Sequence, residues 1–240
     1  MSNRLLLIQP GAFGDLFICA PIAKHYADLG YEVIWPTRQK FSGIMSHFPY
    51  VKNTRLDERV LDPDWLRSDV IKCLEISESL KPDLVLNLAD RGPHPTAEFP
   101  WEKFEQTKYR LSDLEFEVKH SLEWSRDIEK ETEIYNEFVG DEKDYVFAHL
   151  TNSNSPKAEI PIALNQKVIE MEEVEGDNIV GWYKVIMNAS AIFCVESAVQ
   201  AFIDGFINDV QCPKYLLSRP TLAAGQSYTV SRHWDKKHMR

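Results

Sequence analysis

Residues 4–36 constrain the fold more than any other stretch of the chain. Leu5-Leu6-Leu7-Ile8 is a continuous apolar run that stops at Gln9-Pro10-Gly11. Such a run suits a strand buried on both faces of a parallel sheet. From Asp15 to Leu29 the spacing turns helical: Leu16, Cys19, Ala20, Ala23, Tyr26 and Ala27 share one stripe, and Gly30 is the stop. Pro21 lies inside this segment, so a kink or a late helix start is expected. Tyr31-Glu32-Val33-Ile34-Trp35, closed by Pro36, is a second strand. Strand, helix and strand in about 30 residues make a βαβ unit, which is right-handed almost without exception.

The alternation continues. Val51 to Leu56 reads as a short strand, and Trp65 to Leu80 as a helix opened by Asp62-Pro63-Asp64. Asp83-Leu84-Val85-Leu86-Asn87-Leu88 reads as a buried strand that runs into the polar, proline-rich loop 89–95. Residues 97–139 are charged, and their aromatics (Phe99, Trp101, Phe104, Tyr109, Phe116, Trp124, Tyr135 and Phe138) read as packing of helices and loops over a sheet. Composition changes at Gly140-Asp141-Glu142-Lys143-Asp144, which we take as a boundary. Beyond it, Tyr145–His149, Gln166–Met171 and Ala191–Val195 read as strands. Gly181–Ser190 and Glu196–Phe206 read as helices. The expectation is an α/β protein of two Rossmann-like halves, residues 1–140 and a reduced half at 141–240. The basic tail Arg232–Arg240 is open to two readings, an ordered cap or a loose arm.

Lys and Arg total 27 against 37 Asp and Glu, a net charge of −10, so broad attraction to phosphate backbones is disfavoured. With 44% apolar and 27% charged residues among 240, the chain is globular rather than disordered. Cys19, Cys73, Cys194 and Cys212 have neither C-x-x-C nor zinc-like spacing and are expected as free thiols in a reducing compartment. No apolar run approaches the roughly 18 residues that span a bilayer. The N-terminal apolar stretch, about four residues long, is too short for a signal core. A soluble cytoplasmic protein is expected.

Three strand-to-helix junctions are the candidates for chemistry, each open also to a purely structural reading. In the first, Gly11-Ala12-Phe13-Gly14-Asp15, two glycines allow close approach of a ligand to the main chain, and the helix start favours anions. The spacing is not G-x-G-x-x-G, and no acidic residue ends the second strand, so a dinucleotide site is not expected here. Two roles are open to Asp15: capping free helix amides, or acting as general base on a hydroxyl at the ligand-facing end of the sheet. The loop after Leu88 adds Asp90 and Arg91 beyond the carboxyl end of its strand. The second junction runs from Thr151 to Lys157 after His149, and two readings are open: an ordinary polar loop after a buried, hydrogen-bonded strand histidine, or a loop whose hydroxyls, amides and lysine suit phosphate oxygens. The third is Glu196-Ser197-Ala198, where serine suits an N-cap and the glutamate suits ribose hydroxyls. The histidines lack H-x-x-x-H or H-E-x-x-H spacing, and no metal site is expected.

The opening Arg4-Leu5-Leu6-Leu7-Ile8-Gln9-Pro10-Gly11-Ala12-Phe13-Gly14-Asp15-Leu16 resembles the start of the heptosyltransferase-like glycosyltransferases of family 9. His149-Leu150-Thr151 with Lys157 and Pro161, and Ala189 through Ala201, resemble that family's later motifs. The resemblance implies a GT-B fold of two Rossmann-like domains facing a cleft, with Asp15 as catalytic base. It also implies that Thr151, Ser153 and Lys157 grip a donor diphosphate, with His149, Glu196, Ser197 and Ala198 completing the donor side. The implied reaction is inverting, metal-independent transfer from a nucleotide-sugar, with no further cofactor, to a saccharide or glycolipid acceptor. Glu196, Ala198 and Ala201 stand where the family has Asp, Gly and His, and the chain is shorter than typical members. Two alternatives follow: a modified base in DNA as acceptor, for which the basic tail and Lys103, Lys108 and Arg110 leave room, or a catalytically inactive nucleotide- or glycan-binding module.

Overall fold

The computed structural model describes residues 3–56, 65–89, 103–151, 157–160, 165–171, 178–218 and 232–238. The chain divides into two compact units, 1–125 and 126–240. In the first, the described elements are β1 (Arg4–Ile8), α1 (Phe13–Asp28), β2 (Glu32–Arg38), α2 (Ser42–Ser46), β3 (Val51–Leu56), α3 (Trp65–Leu80), β4 (Leu84–Asn87) and α4 (Phe104–Leu111). The strands form one parallel sheet in the order β3-β2-β1-β4.

Each strand is where its apolar run places it. Leu5, Leu6, Leu7 and Ile8 are all fully buried, as a central parallel strand covered on both faces requires. Leu6, Ile8 and Ile34 pack on Leu66, Cys73, Val70, Ile76 and Leu80, which puts α3 on one face. α1 takes the other face and is itself covered by α4 and the 3-10 turn Phe116–His120, through the Tyr109 hydroxyl on the Ile18 carbonyl and the Tyr26 hydroxyl on the Ser112 carbonyl. That double cover buries eight consecutive residues, Leu16 to Ala23. Of the two expectations at Pro21, a kink or a late helix start, the late start is not taken, since α1 starts at Phe13 and runs through the proline to Asp28. Under the cover, Lys119 and Glu105 form a buried ion pair at 2.6 Å.

The second unit contains α5 (Ile128–Phe138), β5 (Tyr145–His149), β6 (Lys167–Glu170), α6 (Asn178–Gly181), α7 (Tyr183–Met187), β7 (Ala191–Val195), α8 (Ala198–Gly205), β8 (Lys214–Ser218) and β9 (Asp235–His238). Its sheet is parallel throughout, in the order β6-β5-β7-β8-β9. The boundary expected at Gly140 is displaced because α5 belongs to this unit. Ile134 on α5 is buried, and Phe138 packs on Trp182 with ring centroids 4.7 Å apart. Gly140 instead stops α5: at φ 62° it lets its N–H return to the Tyr135 carbonyl. The half expected to be reduced carries the larger sheet; the helix expected over 181–190 is shortened to α7, preceded by the one-turn α6. In the β5–β6 connection, none of the described residues is helical.

β8 and β9 were not anticipated. Within the described part of the basic tail, Asp235–His238 pair with β8 as an edge strand, and the Trp234 indole N–H donates to the fully buried Asp204 on α8 at 2.6 Å. The four cysteines are free, three of them buried. Among the described residues, no helix is long and apolar enough to cross a membrane.

Candidate functional site

In open parallel sheets, ligands sit beyond the carboxyl ends of the strands, where neighbouring strands send their connections to opposite sides. In the first unit that point lies between β1 and β4; in the second it lies between β5 and β7. The expected junctions after β1, β5 and β7 are therefore the rims of these two switch points.

At the first, the loop after β1 is pinned by its own polar groups. The Gln9 amide donates to the Gly11 carbonyl at 2.7 Å, and the Trp35 indole donates to the Gln9 carbonyl at 2.7 Å. The close approach anticipated at Gly11 exists, but its occupant is the protein itself. A Cβ placed on Gly11 lies 2.2 Å from the Phe41 ring, which is 1% exposed and stands edge-on to Phe13. Gly11 therefore serves packing, while Ala12, Phe13, Gly14 and Asp15 keep surface. Gly11→Ala is expected to cost about 1–3 kcal/mol of stability, because the ring has no space to retreat into. Chemical denaturation measures this, and an unchanged midpoint would show that Phe41 is not fixed.

Asp15 caps the start of α1 and keeps part of its carboxylate at the surface. Its Oδ2 accepts from the Ala12 N–H at 3.3 Å, in the first turn of α1. Its Oδ1 lies 3.5 Å from the Nζ of Lys108, and the side chain stays 20% exposed. Lys108 is 2% exposed; its ammonium donates to the Leu88 carbonyl at 2.5 Å and to Gln9 Oε1 at 3.2 Å, and lies 4.3 Å from the centroid of the Phe104 ring. This is a correction as well as an addition: Lys108 is not part of a nucleic-acid-facing surface, since its charge is turned inward. Its position between Phe104 and the buried Tyr109 was the sequence signal, a lysine within a buried stripe. Asp90 and Arg91 lie outside the described residues.

At the second switch point, His149 ends β5 and is 3% exposed. Its Nδ1 is 2.8 Å from the Met171 carbonyl, which only accepts, so Nδ1 carries the hydrogen. Burial holds the ring below the ordinary histidine pKa, opposed by the Met171 carbonyl and the Glu170 carboxylate. A neutral ring with Nδ1 protonated has an acceptor at Nε2, suited to a hydroxyl or amino group rather than to phosphate. Thr151 follows, half-buried. Lys157 is 49% exposed with its Nζ 2.8 Å from Glu170 Oε1, so an ion pair holds it at the carboxyl end of β6. Ser197 is the N-cap of α8, its hydroxyl accepting from the Gln200 N–H at 3.4 Å. The preceding Glu196 is buried, and Ala198 opens the helix. Ser153 lies outside the described residues. Missed from the sequence is the chain of buried polar groups behind this cap: the Gln200 amide donates to Asp204, which also holds Trp234. Its residues are i and i+4 on one helix, a spacing visible in the sequence, but the Trp234 partner is not.

Two parallel sheets, each with its candidate residues at a carboxyl-end switch point, can be compared with known structures. No protein-family model matches the sequence, and no curated protein does. Solved structures do. The glycosyl transferase family 9 protein from Veillonella parvula superposes with a TM-score of 0.58, covering 98% of this chain and 87% of that one at 9% identity. The chain has the fold of a family 9 glycosyltransferase. The ADP-heptose lipopolysaccharide heptosyltransferase II of E. coli gives 0.51, covering 99% of this chain and 90% of that one at 11% identity. The spinosyn forosaminyltransferase SpnP gives 0.50, with 92% and 80% covered at 11% identity. The family 9 superposition covers almost the entire chain. Among the described residues, no group of three or more His, Cys, Asp or Glu side chains is arranged to hold a metal.

Proposed function

We propose that the protein is a cytoplasmic glycosyltransferase that moves a sugar from a nucleoside-diphosphate donor to an acceptor hydroxyl with inversion, the acceptor being a surface-glycan or lipopolysaccharide precursor. The observation that carries this reading is the part-exposed Asp15 carboxylate at the β1–β4 switch point of a family 9 fold. Asp15 takes the acceptor proton while the acceptor oxygen bonds to the anomeric carbon. The bond from that carbon to the diphosphate oxygen breaks, and its electron pair leaves on the nucleoside diphosphate. No protein nucleophile is needed, so the configuration inverts in one step. The second unit is read as the donor side: Lys157, held beside Glu170 at the carboxyl end of β6, is assigned the leaving diphosphate, and His149, Thr151 and Glu196, which follow β5 and β7, the rest of the donor. Because lysine provides the countercharge, the reading calls on no metal.

A thermal-shift panel of ADP-, GDP- and UDP-sugars tests the donor class. At a hundred times Kd, binding adds about 2.7 kcal/mol. At about 2–4 °C per kcal/mol for a chain of this size, one member should raise Tm by several degrees. A flat panel would sink the reading. Lys157→Ala is expected to weaken that donor by about tenfold or more, the worth of one charge-assisted hydrogen bond. Unchanged calorimetric affinity would take the diphosphate away from Lys157.

A further inference from the structure

We propose that Lys108 is the positioning residue of the Asp15 carboxylate: a buried ammonium, anchored on Leu88 and Gln9, that fixes where the candidate base points. The inference rests on the reading of Asp15 as base, but its evidence is separate. A lysine ammonium has three N–H donors. Two are spent on fixed acceptors, the Leu88 carbonyl at the end of β4 and the Gln9 side chain at the end of β1. Gln9 is itself buried and held by its donation to the Gly11 carbonyl. The nearest further acceptor is Asp15 Oδ1, 3.5 Å from the ammonium in an ion pair. The ammonium therefore bridges the two strands that open the switch point and holds its positive charge beside the carboxylate on α1.

A purely structural ion pair reads differently. The Lys119–Glu105 pair is closed at 2.6 Å, with both partners nearly inaccessible. At Asp15 the contacts are longer, 3.3 Å from the Ala12 N–H and 3.5 Å from Lys108, and only the carboxylate reaches the surface. One oxygen is steered from each side, and both keep lone pairs for a proton. Burial of the lysine means that it cannot swing out to a ligand, so its influence on an acceptor passes through Asp15. Phe104, lying 4.3 Å beneath the ammonium, closes the remaining side.

Two readouts test this. In nitrogen-15 spectra of the lysine ammonium groups near neutral pH, Lys108 should give a slowly exchanging signal, identified by its loss in Lys108→Met. Asp15→Asn should shift that signal. This arm needs no substrate. With the donor found by the thermal-shift panel, Lys108→Met should lower kcat by up to about 100-fold, the cost of a misplaced catalytic group, while the donor KM stays unchanged. Added to Asp15→Asn, it should cause no further loss, because both changes remove one unit. An ammonium signal indifferent to Asp15→Asn overturns the inference, as does a raised KM with kcat intact or a multiplicative loss in the double variant. Full activity of Asp15→Asn would instead sink the base assignment, while the ammonium spectrum still reports the pair.

Discussion

Asp15→Asn is expected to lower sugar transfer by about 10²–10⁴-fold, the usual contribution of a positioned general base. That corresponds to roughly 3–5 kcal/mol of transition-state stabilisation. Asparagine keeps the size of the side chain and an oxygen for the Ala12 N–H, so the start of α1 stays capped. What is lost is the site that takes the acceptor proton. Donor affinity, a property proposed for residues of the second unit, should be preserved within error by calorimetry. Loss of turnover with intact donor binding supports the base. A variant as fast as wild type removes Asp15 from the chemistry, and loss of donor affinity assigns it a different role.

The largest effect on stability is expected at Lys119. Its ammonium is 2.6 Å from Glu105, with side-chain exposures of 1% and 3%, and it lies 5.6 Å from the centroid of the Phe116 ring. Removing one partner of such a pair leaves the other charge buried and uncompensated, at a cost of about 3–5 kcal/mol. Lys119→Met should therefore unfold the first unit at much lower denaturant, with α4 and the 116–120 turn lifting from α1. Replacing both partners, Glu105→Leu with Lys119→Met, should recover most of the loss, since the apolar pair needs no desolvated charge. A single variant costing less than about 1 kcal/mol would place the pair among the weak exposed ones.

These two sites differ in how far the sequence exposes them. Asp15 follows a continuous apolar run, a proline and glycine, and opens a helix, so its place at the ligand end of β1 is legible from local pattern. The same holds for His149, after Tyr145–Phe147, and for Ser197, whose capping role follows from its position between an apolar strand and α8. Lys119 and Glu105 are different. Both look like ordinary charges in a charged region, and only the cover over α1 makes them an interior pair. Lys108 was misjudged for the same reason, as one more positive charge beside Lys103 and Arg110. Gly140 misled in another way: a glycine after charged residues marks a helix end as readily as a domain boundary, and α5 is joined to its unit by the side chains of Ile134 and Phe138.

From sequence alone came the parallel strands β1 to β7, the helices between most of them and the three candidate junctions at strand ends, because hydrophobic period and turn residues act over a few neighbours in the chain. Tertiary structure alone decided which charges face inward, that Phe41 rather than a ligand lies against Gly11, and that Trp234 ties β9 to Asp204. Such pairings join residues remote in sequence, and their energies depend on burial, which no local pattern records.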